Sequence, residues 1–108
     1  MEYIAISKNV RVSPRKVRMV AAAVKKLSPV NALERLGMLA KSASQPILKT
    51  LQSAIANSKL AVKDLKIKNI LVDEGTKMKR RDTSHRASRD SGTIHKRTSH
   101  ITVILTNE

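Results

Sequence analysis

The sequence predicts an α+β fold, and three observations carry the prediction. Between residues 13 and 62 apolar residues recur at the three- and four-residue spacing of helices. From residue 65 onward the period shortens to two, the repeat of strands, in two separate segments. Between those segments lies TKMKRRDTSHRASRDSGTIHKR, residues 76–97, in which only Met78, Ala87 and Ile94 are clearly apolar. A chain of 108 residues is long enough for one domain with a modest core.

Residues 1–12 begin with a short alternation, Tyr3 and Ala5 against Ile4 and Ile6, an ambiguous strand signal. SPRKVRMVAAAVKKL follows. Ser13 suits an N-cap and Pro14 the first helical position, where its missing N–H costs nothing. Val17, Val20, Ala21 and Val24 then form one apolar face, with Arg11, Arg15, Lys16 and Arg18 elsewhere. The device repeats with Ser28 and Pro29, followed by Ala32, Leu33 and Leu36, and Gly37 suggests a weakened or ending helix. A third, longer helix is expected from about Ser42 to Val62, with Pro46 tolerated near its first turn. Its packed face is Ile47, Leu48, Leu51, Ala54, Ile55 and Ser58, with Asn57 close by.

In LKIKNILVDEG the residues Leu65, Ile67, Asn69 and Leu71 alternate with Lys66, Lys68, Ile70 and Val72. TSHITVILT repeats the pattern, with Ile101, Val103 and Leu105 on one face and His100, Thr102 and Ile104 on the other. The simplest arrangement of two strands flanking residues 76–97 is a hairpin with a very long arm.

Composition narrows the partner. Twenty-two Lys and Arg face eight Asp and Glu, a formal charge of +14, which favours a polyanion: nucleic acid or an anionic membrane. There is no cysteine, so neither a disulfide nor a thiolate zinc site is available. No export signal or apolar run of ~20 residues is present, and a soluble protein of the cytosolic type is expected. Tyr3 is the sole aromatic residue, so the stacking platforms that hold splayed bases in RNA-recognition sheets cannot be built.

The charge is concentrated in two places. One is the first helix and the turn before it, with Lys8, Arg11, Arg15, Lys16 and Arg18. The other is the arm, where Lys77, Lys79, Arg80, Arg81, Arg86, Arg89, Lys96 and Arg97 are opposed only by Asp82 and Asp90. A charge run by itself is a solvated face, but one held at both ends by strands is not a tail. With both limbs extended at ~3.3 Å per residue, the tip would stand ~30 Å from the body. Guanidinium forks and ammonium groups suit phosphate, and Ser, Thr and His donors reach phosphate or ribose.

Other chemistries fit less well. His85, His95 and His100 match no helical zinc spacing, and Ser99, His100 and Asp73 make no hydrolytic set, since adjacent strand residues face opposite sides. Gly37, Gly75 and Gly92 are too far apart for a phosphate loop. The first helix lacks the bulky face that enters lipid. No catalytic residue, metal or cofactor is expected.

Four segments in order, VRVSPRKVRMVA, LKTLQSAIANS, IKNILVDEGTKMKRR and HKRTSHITVIL, resemble the bacterial-type large-subunit ribosomal protein L-twenty-two family. The similarity runs from about Ile4 to Leu105. It implies three helices packed on a small three-stranded antiparallel sheet, with a long extended β-hairpin arm: body about 1–75 and 98–108, arm about 76–97. It also implies a structural constituent of the large ribosomal subunit that binds its RNA, supports assembly and lines the nascent-peptide exit tunnel with the arm. The implied partners are ribosomal RNA, neighbouring ribosomal proteins and the nascent polypeptide in transit, with no membrane and no small-molecule substrate, in the cytoplasm or an organelle. By position, Ser13, Arg15, Lys16 and Arg18 would touch RNA from the body, and Lys79, Arg80, Lys96, Arg97, Ser99 and His100 from the base of the arm. Ser53 and Asn57 match motif positions that also suit helix packing or capping. The tunnel-facing tip would be His85, Arg86, Ala87, Ser88, Arg89, Asp90, Ser91 and Gly92. There the sequence departs from the family's Pro-Arg-Ala pattern, with no proline and only HRAS in partial agreement. A small basic DNA-packaging protein is the alternative reading of the composition.

Overall fold

A computed structural model describes residues 1–81 and 92–107. Strand β1 (Glu2–Val10) leads into helices α1 (Pro14–Val24), α2 (Pro29–Met38) and α3 (Ser44–Ser58). A 3₁₀ turn (Val62–Asp64) precedes β2 (Lys66–Glu74), β3 (Met78–Arg81), β4 (Thr93–Lys96) and β5 (Ser99–Thr106). The last strand is the centre of an antiparallel sheet ordered β1-β5-β2, while β3 and β4 pair only with each other.

The helices cover one face of that sheet, and the core between them is aliphatic. Val17, Val20, Ala21 and Val24 of α1 are buried, as the spacing predicts, with Leu36 of α2, Ile47 and Leu51 of α3 and Ile101, Val103 and Leu105 of β5. Both proline-led helices start where expected. Ser28 caps α2, accepting from the Asn31 N–H at 3.4 Å, whereas the Ser13 side chain makes no capping bond. Helix α3 is shorter than the apolar pattern suggests. Ser58 donates to the Ile55 carbonyl at 2.6 Å, and Lys59 takes a left-handed conformation (φ 57°) that closes the helix.

Two strands depart from simple alternation. The ambiguous N-terminal segment is a full nine-residue edge strand, clipped to α3 where Asn57 Nδ2 donates to the Ile4 carbonyl at 3.1 Å. Ser7 reaches α3 as well, 2.7 Å from Thr50 Oγ1; the Thr50 proton goes to the Pro46 carbonyl, so Ser7 is the donor. In β2 the register slips between Ile67 and Asn69. The extra residue of this bulge turns Ile70 and Val72 toward the core and leaves Leu71 exposed, overturning the alternation read across it. On the uncovered side of the sheet, Glu2 and Lys68 form an ion pair across β5, and that ammonium holds the Glu2 carboxyl below its usual range.

The molecule measures 59 × 24 × 17 Å, with a radius of gyration of 16.9 Å against ~13 Å for a compact chain of this length. The residues of the β3-β4 ribbon are exposed on both faces, only Lys96 being half-buried.

Candidate nucleic-acid interface

The base of the ribbon is where the chain is tightest. The Gly75 N–H donates to the Thr98 carbonyl at 2.9 Å, and Thr98 Oγ1 donates to the Thr76 carbonyl at 2.8 Å. These two bonds cross-link the outgoing and returning limbs. They fit only because residue 75 is glycine: a Cβ there would lie 2.4 Å from Thr98 Oγ1. Beside them the backbone N–H of Asn9, at a bulge with φ 54°, donates to His100 Nδ1 at 3.0 Å. That bond fixes His100 as the tautomer with its proton on Nε2.

Folding joins the two basic patches, which lie far apart in the sequence. Arg11 Nη1 donates to the Arg97 carbonyl at 2.6 Å, tying the turn before α1 to the returning limb. A basic cleft of about 430 Å³ opens between them, lined by Arg11, Ser13, Lys16, His95, Lys96 and Arg97 among others. On the far side of the first turn of α1 a second hollow, about 560 Å³, is lined by Ser13, Arg15, Arg18, Glu74 and Arg97 with Pro14. Ser13 and Arg97 border both, so the start of α1 stands in a continuous cationic surface. Arg18 also donates to the Val72 carbonyl at 3.0 Å, pinning α1 to β2, and Glu74 pairs with Lys77 at 3.6 Å.

Beyond this base the ribbon register decides how charge is presented. Met78 faces Lys96, Lys79 faces His95, Arg80 faces Ile94 and Arg81 faces Thr93. Cross-strand partners share a face and successive residues alternate. One face therefore carries Arg80 and Lys96 with Met78 and Ile94, and the other carries Lys79, Arg81 and His95. Cations project from both sides.

The remaining expected contacts are placed as follows. Lys8 is exposed on β1 but lines neither hollow, and Lys77, just before β3, and Lys79, Arg80 and Arg81 on the ribbon stand outside both. Ser99 is corrected: it faces the core at 0% exposure, its hydroxyl without a protein partner among the described residues, so it offers no surface to RNA. His100 is half-buried and spends Nδ1 on the strand bulge. Asn57 serves as the clip on β1, and Ser53 is exposed. Gly92 is exposed, while His85, Arg86, Ala87, Ser88, Arg89, Asp90 and Ser91 lie outside the described residues. Sequence reasoning passed over Gly75 and Thr98, whose only signal is a glycine ending one strand segment and a threonine opening the other. Among the described residues no group of three His, Asp or Glu could hold a metal ion, and no helix is long and apolar enough to cross a membrane.

Comparison with known proteins agrees with this geometry. Residues 5–106 match the model of the family Ribosomal protein L22p/L17e. "Large ribosomal subunit protein uL22" of Methylacidiphilum infernorum is 43% identical over 97% of this chain and 94% of its own length. Proteins of the same name from Akkermansia muciniphila and Bifidobacterium animalis are 41% and 39% identical, each over 100% of this chain and 98% and 97% of their own. A +14 chain with a cationic ribbon on a small α+β body, matched from end to end, belongs to the ribosomal protein L22p/L17e family, structural proteins of the large ribosomal subunit and not enzymes.

Proposed function

We propose that this chain binds large-subunit ribosomal RNA through the joined patches at the base of its ribbon, and that the ribbon passes between RNA elements to line the nascent-peptide exit tunnel. One observation carries the reading: a two-stranded ribbon solvated on both faces, with cations on both. An isolated hairpin of this kind is marginal in water, and like charges along it oppose its order further. A partner that surrounds it with phosphate relieves both costs. A surface partner would need cations on one side alone.

The start of α1 and Arg97 then dock the body on folded RNA. By linking RNA elements on both sides of the ribbon, the protein supports assembly of the subunit. Residues 85–92 would meet the nascent polypeptide, and neighbouring ribosomal proteins would pack against the remaining surface. The chain works in the cytoplasm as part of the large subunit.

The test is sedimentation of the full chain through a gradient at moderate salt. Recovery with the large subunit is expected, and release when Lys79, Arg80, Lys96 and Arg97 are all changed to Ala. Recovery with bulk chromosomal DNA would overturn the reading in favour of DNA packaging.

A further inference from the structure

A second depression abuts the basic cleft and has the opposite character. It is a groove of about 530 Å³ between α1 and the α2-α3 connection, walled by Met19, Val20, Ala23, Leu39 and Ala40. Lys16 and Lys41 also line it, with Ser42. Lys16 and Ser42 border the basic cleft too, so groove and cleft meet across these two side chains. The groove wall is braced: the buried Ser44 hydroxyl lies 2.7 Å from the Lys41 carbonyl and 3.2 Å from that of Leu39, which holds the connecting turn.

We infer that groove and cleft together receive one unpaired nucleotide extruded from the bound RNA, its base in the apolar groove and its phosphate among Lys16 and the cations of the cleft. This rests on the RNA-binding reading above. An apolar slot opening directly onto a cationic hollow fits a ligand with a flat heterocycle joined to an anion. No acidic side chain lines either depression, so a basic or neutral peptide would leave Arg11, Lys16, Lys96 and Arg97 unmatched. The two depressions are also continuous with the surface the ribbon base presents to RNA. Having no aromatic ring, the slot holds the base by aliphatic contact and the polarisable thioether of Met19, while Ser42 and Lys41 can reach base edges or ribose hydroxyls.

The test uses the full chain assembled in the large subunit, with a diazirine-bearing amino acid in place of Met19, which is 69% exposed and outside the core. Irradiation is expected to cross-link it to the base of a single unpaired nucleotide. A cross-link to a neighbouring protein, or none to RNA from a correctly assembled subunit, overturns the inference and leaves RNA binding standing. Failure of the chain to enter the subunit overturns both. A companion measurement compares Met19→Glu with Val30→Glu, an equal charge change on the exposed start of α2, outside the groove. Binding to transcribed large-subunit RNA should weaken roughly five- to tenfold more for the first, the low end of base-stacking losses because the slot lacks a ring. Equal losses would refute the slot.

Discussion

Gly75→Ala tests how the ribbon is fixed to the body. The added methyl would stand 2.4 Å from Thr98 Oγ1, 3.2 Å from Asn9 Oδ1 and 3.3 Å from His100 Cε1, the first well inside the 3.0 Å that real Cβ atoms respect. Thr98 cannot simply turn away. It is buried, its β-branched side chain has few rotamers, and Oγ1 is committed to the Thr76 carbonyl at 2.8 Å. Losing that bond costs about 1 kcal/mol and the forced displacement about 1–3 kcal/mol. The stiffer unfolded chain returns about 0.4–1 kcal/mol. A net loss of about 2 kcal/mol follows, lowering the urea midpoint by roughly 1 M at a slope of ~2 kcal/mol per M. The assay is urea unfolding of the full chain in a double-mutant cycle with Thr98→Ala, which removes the obstructing oxygen. The pair should be less destabilised than the sum of the singles by about 1 kcal/mol or more. Additivity, or a Gly75→Ala midpoint indistinguishable from the parent, would refute the close approach as the reason for glycine.

Three further outcomes are expected. Changing Lys79, Arg80, Lys96 and Arg97 to Ala should reduce the log–log salt dependence of RNA binding by roughly 0.7–0.9 per lost phosphate contact, about 3 in all; an unchanged slope would remove these side chains from the interface. In the free protein, amides of Met78–Arg81 and Thr93–Lys96 should exchange far faster than those of Ile101, Val103 and Leu105, whose strand is central and buried, and equal protection would contradict the ribbon's need for a partner. The Glu2 carboxyl should titrate below the ordinary range because Lys68 donates to it and attracts it. Its small contribution to stability is then present above the unfolded carboxyl pKa and lost as pH falls through the lower folded value. Carboxyl-detected NMR should find that midpoint restored to normal in Lys68→Met.

Local signals survive folding where a residue's role depends on near neighbours in the chain. The proline starts of α1 and α2 and the apolar stripe Val17, Val20, Ala21 and Val24 depend on spacing alone, and they stand as read. The charge of residues 76–97 likewise needs no tertiary partner to be recognised. Spacing misled where a local bond competed with the period. Ser58 ended α3 early by bonding back to Ile55, and one extra residue after Ile67 reversed the faces of β2.

What this chain by itself determined is therefore a class and a preference for polyanions: three helices and two of the strands, a core without aromatic rings, and a cationic segment suited to phosphate. Only the tertiary structure decided that Arg11 and Arg97 meet, that Ser99 turns inward, and that Gly75 and Thr98 lock the two limbs together. Each depends on which residues the sheet order β1-β5-β2 sets side by side, and pairing between strands distant in the chain leaves no period in the sequence from which to read it.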